Sequence, residues 1–377
     1  MGKKRIGLLT WYQGTNYGSV LQAYALLRTI SKEGHKAVII SEFSYPFTFS
    51  AILNNLWRRI GFSIRVFHGL ELRRIRPLQN CPYPTQKKRF LDFFNEEIKS
   101  TLPVGPGSLA VLKFRTQLFM AGSDQLWNCH DHFRELEFLG FAKGKKKVSY
   151  ATSIGADNIP TRYHTKVKEY LSRFSYISVR EKYSEEELER ITGRDDIRTV
   201  LDPTFLLTAD EWNAFTANAS TDFDLSGRFI FCYLLKKGHN YEDLLSRIKS
   251  LTGIDRVIIL PSSENPSLCV DGCERYENAG PREFVKALSM ASYVVTDSFH
   301  GSALSINFGK PFLNLKRFDD SDPASQNPRL VYLANLFNLG DRFFVDDLPK
   351  EINYKSVHEK LDELRKESLD YLKMIIS

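Results

Sequence analysis

The sequence has 377 residues and a formal net charge of +7. A single core rarely grows beyond about 250–300 residues, so two domains are expected. The apolar runs fall far short of the ~20 residues that cross a bilayer. The moderate positive charge suits anionic substrates, an anionic membrane surface or nucleic acid, and the last is set aside because no recognised nucleic-acid motif occurs. The opening MGKKRIGLLTWYQG has a basic front but breaks after a few apolar residues, so it reads as a first strand and not as a signal peptide. Cys81, Cys129, Cys232, Cys269 and Cys273 are odd in number and scattered. Cys269 and Cys273 have no second pair to complete a zinc site, so no metal is expected, and reduced thiols in the cytoplasm are.

Residues 5–11, RIGLLTW, read as a strand, and a loop from Tyr12 to Gly18 follows. A helix is expected from Ser19 to about Glu33, with Val20, Leu21, Ala23, Tyr24, Leu27 and Ile30 on one buried face. Gly34 ends it and 36–41 is the next strand. This strand–helix–strand opening is that of a doubly wound α/β domain, which places ligands at the carboxyl ends of its strands. The loop does not match GxGxxG, so no dinucleotide is inferred. Gly14 and Gly18 flank Asn16 and permit close approach of backbone to a ligand; the competing reading is a polar surface loop.

Residues 50–77 carry Leu53, Leu56, Trp57, Ile60, Ile64, Phe67 and Leu70 at helical spacing, among six arginines from Arg58 to Arg76. Such a basic amphipathic helix can lie on an anionic membrane. The preferred reading is a core-covering helix with a solvated basic face. A helix over 86–98 follows. The strand 117–121 ends in Gly122-Ser123-Asp124-Gln125-Leu126-Trp127-Asn128, where Asp124 and Asn128 can bind hydroxyls and Trp127 can stack on a sugar; alternatively this is a helix cap with a buried tryptophan. Further expected elements are a strand over 148–152, a helix over 161–174 and a strand over 176–179 that delivers Arg180 and Glu181. Ser184 and Glu187 fit a capping box for a helix over 184–191. Arg180 can grip phosphate or carboxylate, or form a structural ion pair.

The second half restarts the pattern. Strands are expected at 228–235 and 256–260, and helices at 241–251, 281–290, 327–337 and 354–375, the last crossing back to brace the first half. The organising stretch is VVTDSFHGSALSINFGKPF, 294–312. Tyr293 to Thr296 reads as a buried strand, Asp297 and Ser298 as helix caps, and Ser302 to Phe308 as one or two helical turns. His300 and Gly301 then sit at a strand end and a helix start, where free N–H groups and the helix dipole favour an anion. A histidine there can bind phosphate or move a proton; equally, it can be a packed capping turn. The mixed-charge loop Lys316 to Asp320 is expected near the same cleft.

Several of these segments resemble one family, in order along the chain. They are NYGSVLQAYAL (16–26), AGSDQLWN (121–128), SYATSIG (149–155), ISVREKYSEEEL (177–188), VLDPTFLL (200–207) and VTDSFHGSALSINFGKPF (295–312). The chain resembles the polysaccharide pyruvyl transferase family. That resemblance implies an α/β fold of two Rossmann-like domains facing across a cleft, GT-B-like, here divided as 1–207, 208–350 and a C-terminal helix over 351–377. It implies transfer of a pyruvyl group from phosphoenolpyruvate to two hydroxyls of a surface polysaccharide or its lipid-linked precursor, with no cofactor beyond the donor. The matching arginine and histidine are Arg180 and His300, with Asp124 as a candidate for orienting or deprotonating the acceptor.

On this basis Arg180, Ser298, His300 and Gly301 are expected on the donor side, and Asn16, Gly18, Asp124, Trp127 and Asn128 on the acceptor side. The expected location is the cytoplasm; peripheral contact with the inner membrane face is the alternative that follows if the basic helix over 50–77 lies on anionic lipid instead of covering the core. Two other readings stay open: a GT-B glycosyltransferase using a nucleotide sugar, and a non-catalytic glycan-binding protein.

Overall fold

The structure is a computed structural model that describes residues 2–12, 14–42, 81–98, 101–104, 116–319, 322, 325–343 and 349–377. The first sheet contains β1 (Arg5–Leu9), β2 (Lys36–Glu42), β3 (Thr101–Val104), β4 (Leu118–Ala121) and β5 (Lys146–Ser149). All its pairings are parallel and the order is β3-β2-β1-β4-β5. A short parallel pair, β6 (Ser178–Val179) and β7 (Arg198–Thr199), is joined to the β5 side by the bridges Val148–Tyr176 and Thr152–Val179. The second sheet contains β8 (Ile230–Tyr233), β9 (Val257–Ile259), β10 (Glu274–Arg275), β11 (Tyr293–Thr296) and β12 (Phe312–Asn314), again all parallel, in the order β10-β9-β8-β11-β12. The two orders are the same: each sheet grows outward on one side of its first strand and then on the other. The strand order reverses between β1 and β4 and between β8 and β11, the places where open α/β sheets bind ligands. β4, β8 and β11 are buried at every residue, as parallel strands covered on both faces must be. This is an α/β protein of two Rossmann-like sheets facing a shared cleft, a GT-B-like arrangement.

The helices are α1 (Tyr17–Lys32), α2 (Pro84–Phe93), α3 (His164–Leu171), α4 (Lys182–Thr192), α5 (Ala209–Phe215), α6 (Tyr241–Thr252), α7 (Pro281–Met290), α8 (Phe299–Asn307), α9 (Asn327–Leu336) and α10 (Tyr354–Ile376). Three of the starts that differ from expectation do so for local reasons. α1 begins two residues early because the extended Asn16 caps it, its side chain accepting from Ser19 N at 3.2 Å. α4 begins at Lys182 because Glu181 is the extended residue; Ser184 Oγ donates to Glu181 Oε2 at 3.1 Å, and no Ser184–Glu187 capping box forms. α8 begins at Phe299, so His300 lies inside the first turn instead of before it.

One apolar cluster runs through both halves. It joins Tyr17, Tyr24, Phe90 and Phe93 to Trp212, Phe215, Tyr233 and Phe284. Tyr17 stacks on Phe284 with ring centroids 4.8 Å apart, donates its hydroxyl to Ala279 O at 2.7 Å and accepts from Gln86 Nε2 at 2.8 Å. An aromatic pair of this kind adds about 0.5–1.5 kcal/mol beyond its burial. α10 spans the two halves. His358 Nε2 meets Ile306 O at 2.9 Å, Ser368 Oγ accepts from Leu201 N at 3.0 Å, and Lys146 Nζ donates to Ile375 O at 3.1 Å.

The basic amphipathic segment 50–77 lies outside the described residues. Among the described residues no helix is long and apolar enough to cross a membrane. All five cysteines are free thiols.

Candidate active site

The carboxyl ends of β1 and β4 on one side, and of β11 on the other, open into a cleft of about 730 Å³. Asn16, Ser19 and Asp124 line it from the first half, and Ser298, His300 and Arg329 from the second.

His300 is delivered by the β11-to-α8 turn. Ser298 is the extended N-cap residue, and its Oγ accepts from Gly301 N at 3.4 Å. Asp297 does not cap this helix. Its carboxylate accepts from Leu235 N at 2.7 Å and Lys236 N at 2.8 Å, tying the end of β11 to the loop after β8. Burial raises the Asp297 carboxyl above its ordinary value against the pull of those two N–H groups. His300 is 6 % exposed, enough to touch the cleft while its position is set from behind. Its Nε2 has no hydrogen-bond partner and lies 3.7 Å from Asp202 Oδ2, an ion-pair distance and too long for a hydrogen bond.

Asp202 is the hub behind the histidine. Oδ2 accepts from Ser123 Oγ at 2.8 Å and from Arg180 NH1 at 2.9 Å; Oδ1 accepts from Thr204 N at 2.9 Å and Thr204 Oγ1 at 2.7 Å. Burial alone would raise its carboxyl. The His300 ring, and after it the Arg180 guanidinium, more than offset this and hold Asp202 well below the usual carboxylate range. Asp202 is therefore a buried, ionised group between a cation and the site histidine.

Asp124 faces the same cleft from the end of β4. Its backbone is in the left-handed region, at φ +75°, a conformation that costs a residue other than glycine about 1–3 kcal/mol. The turn directs Oδ2 to Ser19 Oγ at 2.6 Å and Oδ1 to Gln125 N at 3.1 Å. The Asp124 carbonyl accepts from Ser153 N at 2.9 Å, which carries the strained turn on the neighbouring strand end.

The expected site residues divide. Asn16, Asp124, Asn128, Ser298 and His300 all line the cleft. Asn128 Oδ1 accepts from His130 N at 3.1 Å, and Gly155, at φ +81°, leaves the space that the Asn128 and Gln125 amides fill. Four others are corrected. Trp127 is fully buried, stacked on Phe138 at 5.5 Å with its indole N–H donated to Glu137 O, so it has no face for a sugar. Gly301 turns its α-carbon to Thr296, where a Cβ would fall 2.5 Å from Oγ1, and its N–H is taken by Ser298; it packs the helix on the strand. Gly18 lies within α1 and faces the His300 ring, not an acceptor.

Arg180 does not line the cleft. It stands behind it, donating Nε to Glu181 Oε1 at 2.8 Å and NH1 to Asp202, with the Phe299 ring 4.0 Å from its guanidinium carbon. Burial works against its charge, and Glu181 and Asp202 together raise its pKa above the ordinary value. In this arrangement Arg180 positions Asp202; only its NH2, buried and unpartnered, remains for another group.

Two residues were not singled out from sequence. Asp202 stands within VLDPTFLL, where Asp-Pro reads as a turn and nothing reveals that it meets His300 from 98 positions away. Arg329 belongs to a helix that reads as ordinary amphipathic sequence. It is 8 % exposed, lines the cleft, and donates NH2 to Gln326 Oε1 at 2.7 Å. Arg317, from the expected mixed-charge loop, also lines the cleft and pairs with Glu264. Among the described residues no group of three His, Cys, Asp or Glu side chains is placed to hold a metal ion.

Comparison with solved structures returns low-identity likenesses across the whole chain. UDP-GlcNAc 2-epimerase from Neisseria meningitidis bound to UDP-GlcNAc is 11% identical, with 98% of this chain and 94% of that one covered and a TM-score of 0.48. UDP-GlcNAc 2-epimerase from Methanocaldococcus jannaschii is 12% identical over 96% and 92%, with a TM-score of 0.46. The E. coli ADP-heptose LPS heptosyltransferase II is 12% identical over 96% and 99%, with a TM-score of 0.41. A search of curated proteins returned no match. The family profile for polysaccharide pyruvyl transferase matches residues 16–317, a span that holds Asn16, Asp124, Arg180, Asp202 and His300. By that match over most of its length, the chain belongs to the polysaccharide pyruvyl transferase family.

Proposed function

We propose that this protein transfers a pyruvyl group from phosphoenolpyruvate to two hydroxyls of a sugar, in a surface polysaccharide or its lipid-linked precursor, forming a pyruvate ketal and releasing inorganic phosphate. The observation that carries the reading is His300: a histidine in the first turn of a nine-residue helix, on the cleft wall, with an unpartnered ring nitrogen and an ionised aspartate behind it.

The chemistry asks for three things. A proton must reach the methylene carbon, which becomes the methyl group. A sugar hydroxyl oxygen must then bond to the adjacent carbon and give up its proton. Phosphate must leave with the bridging oxygen, and a second hydroxyl takes its place, its proton balancing the phosphate released. His300 is assigned to phosphate binding and to proton transfer, because a histidine changes charge near neutral pH and the α8 N-terminus favours an anion. Asp124 is assigned to the acceptor, orienting or deprotonating a hydroxyl with Ser19 beside it. Asn16 and Asn128 are assigned to acceptor hydroxyls. The reading places the enzyme in the cytoplasm, meeting its acceptor at the inner membrane face.

The test is direct. Phosphate release from phosphoenolpyruvate in the presence of a glycan acceptor, with a new ketal methyl resonance on the glycan, is the expected result. Binding of a nucleotide sugar with no binding of phosphoenolpyruvate would replace this reading with a glycosyltransferase.

A further inference from the structure

We infer that Arg329 takes the carboxylate of the donor, so that the cleft holds the donor's two anions at separate places, phosphate at His300 and carboxylate at Arg329. The inference rests on the phosphoenolpyruvate reading and deepens it.

Arg329 is a buried cation whose charge is poorly compensated. No carboxylate among the described residues lies within ion-pair distance of it; its contacts are two carboxamides. Gln326 Oε1 accepts from NH2 at 2.7 Å, and with the Gln125 amide turned so that its oxygen faces Arg329, that oxygen lies 2.9 Å from NH1. Nε has no partner. Burial, and then the nearby Arg180 cation, push the guanidinium below its ordinary pKa, the reverse of what befalls Arg180 itself. A second orphan stands alongside. The Tyr183 hydroxyl is buried without a partner, and both Arg329 and Arg180 lie near enough to act on its titration.

A folded protein rarely leaves a buried guanidinium so exposed to its own desolvation cost. An anion entering the cleft removes that cost, and perturbed cations in clefts mark such sites. The helix start is also rigid. Asn327 Oδ1 accepts from Arg317 N and Phe318 N, each at 3.1 Å, and Asn327 Nδ2 donates to Phe318 O at 2.7 Å, so Arg329 is presented from a pinned turn.

The two donor anions call for different partners. The phosphate leaves during the reaction, and a histidine that exchanges a proton suits a leaving group. The carboxylate remains on the pyruvyl carbon throughout, and a planar, permanently charged guanidinium suits a group that must be held still.

Calorimetric titration of wild type, Arg329→Lys and Arg329→Gln with phosphoenolpyruvate and with inorganic phosphate tests the assignment, alongside KM and kcat for phosphate release. Phosphate affinity is expected to change less than about twofold, while the glutamine variant loses about 10- to 100-fold in phosphoenolpyruvate affinity, the size of a lost charge-assisted hydrogen bond. The lysine variant should recover part of it, and the loss should appear in KM more than in kcat. Equal loss for both ligands would move Arg329 to the phosphate, and unchanged phosphoenolpyruvate binding would remove it from the donor site. Either result overturns the inference. Failure of the wild type to bind phosphoenolpyruvate would instead overturn the functional reading beneath it. Thermal unfolding of each variant confirms that the protein titrated is folded.

Discussion

Gly18 and His300 touch across the two halves of the molecule: the α-carbon of Gly18 faces the imidazole so closely that a Cβ there would fall 2.6 Å from His300 Cγ, and nearer still to Nδ1. The glycine is needed for space. It lies in regular helix, so its backbone freedom is not at issue. α1 is thereby the surface against which the site histidine is set.

Gly18→Ala should therefore act on the ring before it acts on the fold. Moving a reacting group by about 1 Å can cost 10²-fold in rate. Phosphate release should fall by about that factor. Thermal unfolding should show that the variant folds, at a somewhat lower midpoint. Wild-type turnover in the alanine variant would separate His300 from the chemistry.

Asp202→Asn removes one of the two buried charges that compensate Arg180, the other being Glu181, and breaking a buried pair costs up to about 3–5 kcal/mol. The sign with pH follows from the depressed carboxyl. Its contribution is complete above the ordinary carboxylate value near 4 and shrinks as pH falls below that toward the lower folded value. Urea unfolding at several pH values should find the variant less stable than wild type at about pH 5 and above, with the gap closing as pH falls below about 4. A gap that widened in acid would mean that Asp202 is protonated in the folded protein.

The fold was legible because its signals are local. Short apolar strands alternate with amphipathic helices, and β11 begins and ends at the expected residues, Tyr293 and Thr296. The candidate site was legible only where a residue's position on the cleft wall follows from its own strand end. His300 and Asp124 are of that kind. Trp127 shares the loop of Asp124, yet the side chains of one turn diverge, and its indole enters the core between Phe138 and Phe174. Arg180 sits at a strand end as expected, but adjacent Glu181 and distant Asp202 claim its guanidinium. No local pattern encodes the meeting of Asp202 with His300, or of Gly18 with His300, because each joins segments brought together only by the packing of one half on the other.

The placement of Trp127 makes a prediction that separates stability from binding. Trp127→Ala empties a fully buried site, for which about 3–5 kcal/mol is the usual loss. Trp127→Phe should lose less, since it keeps a ring against Phe138 and forfeits the hydrogen bond to Glu137 O. Acceptor KM in the phenylalanine variant should match the wild type. A large rise in acceptor KM without a stability loss would return the tryptophan to the sugar site.

Asp124 can be tested by the same logic, because its backbone and its carboxylate make different demands. Asparagine tolerates the left-handed region that φ +75° requires; its Oδ1 can still accept from Gln125 N, and its Nδ2 can donate to the Ser19 hydroxyl that Oδ2 accepts from in the wild type, so Asp124→Asn should unfold within a few degrees of wild type. It cannot take a proton from a hydroxyl. If Asp124 deprotonates the acceptor, turnover should fall by about 10²–10⁴-fold, while phosphoenolpyruvate binding is unchanged. Asp124→Ala loses the Ser19 hydrogen bond and adds backbone strain, so it should lose stability as well as turnover. Full turnover in the asparagine variant would leave Asp124 as a positioning residue for Ser19 and pass the acceptor's proton to another group in the cleft.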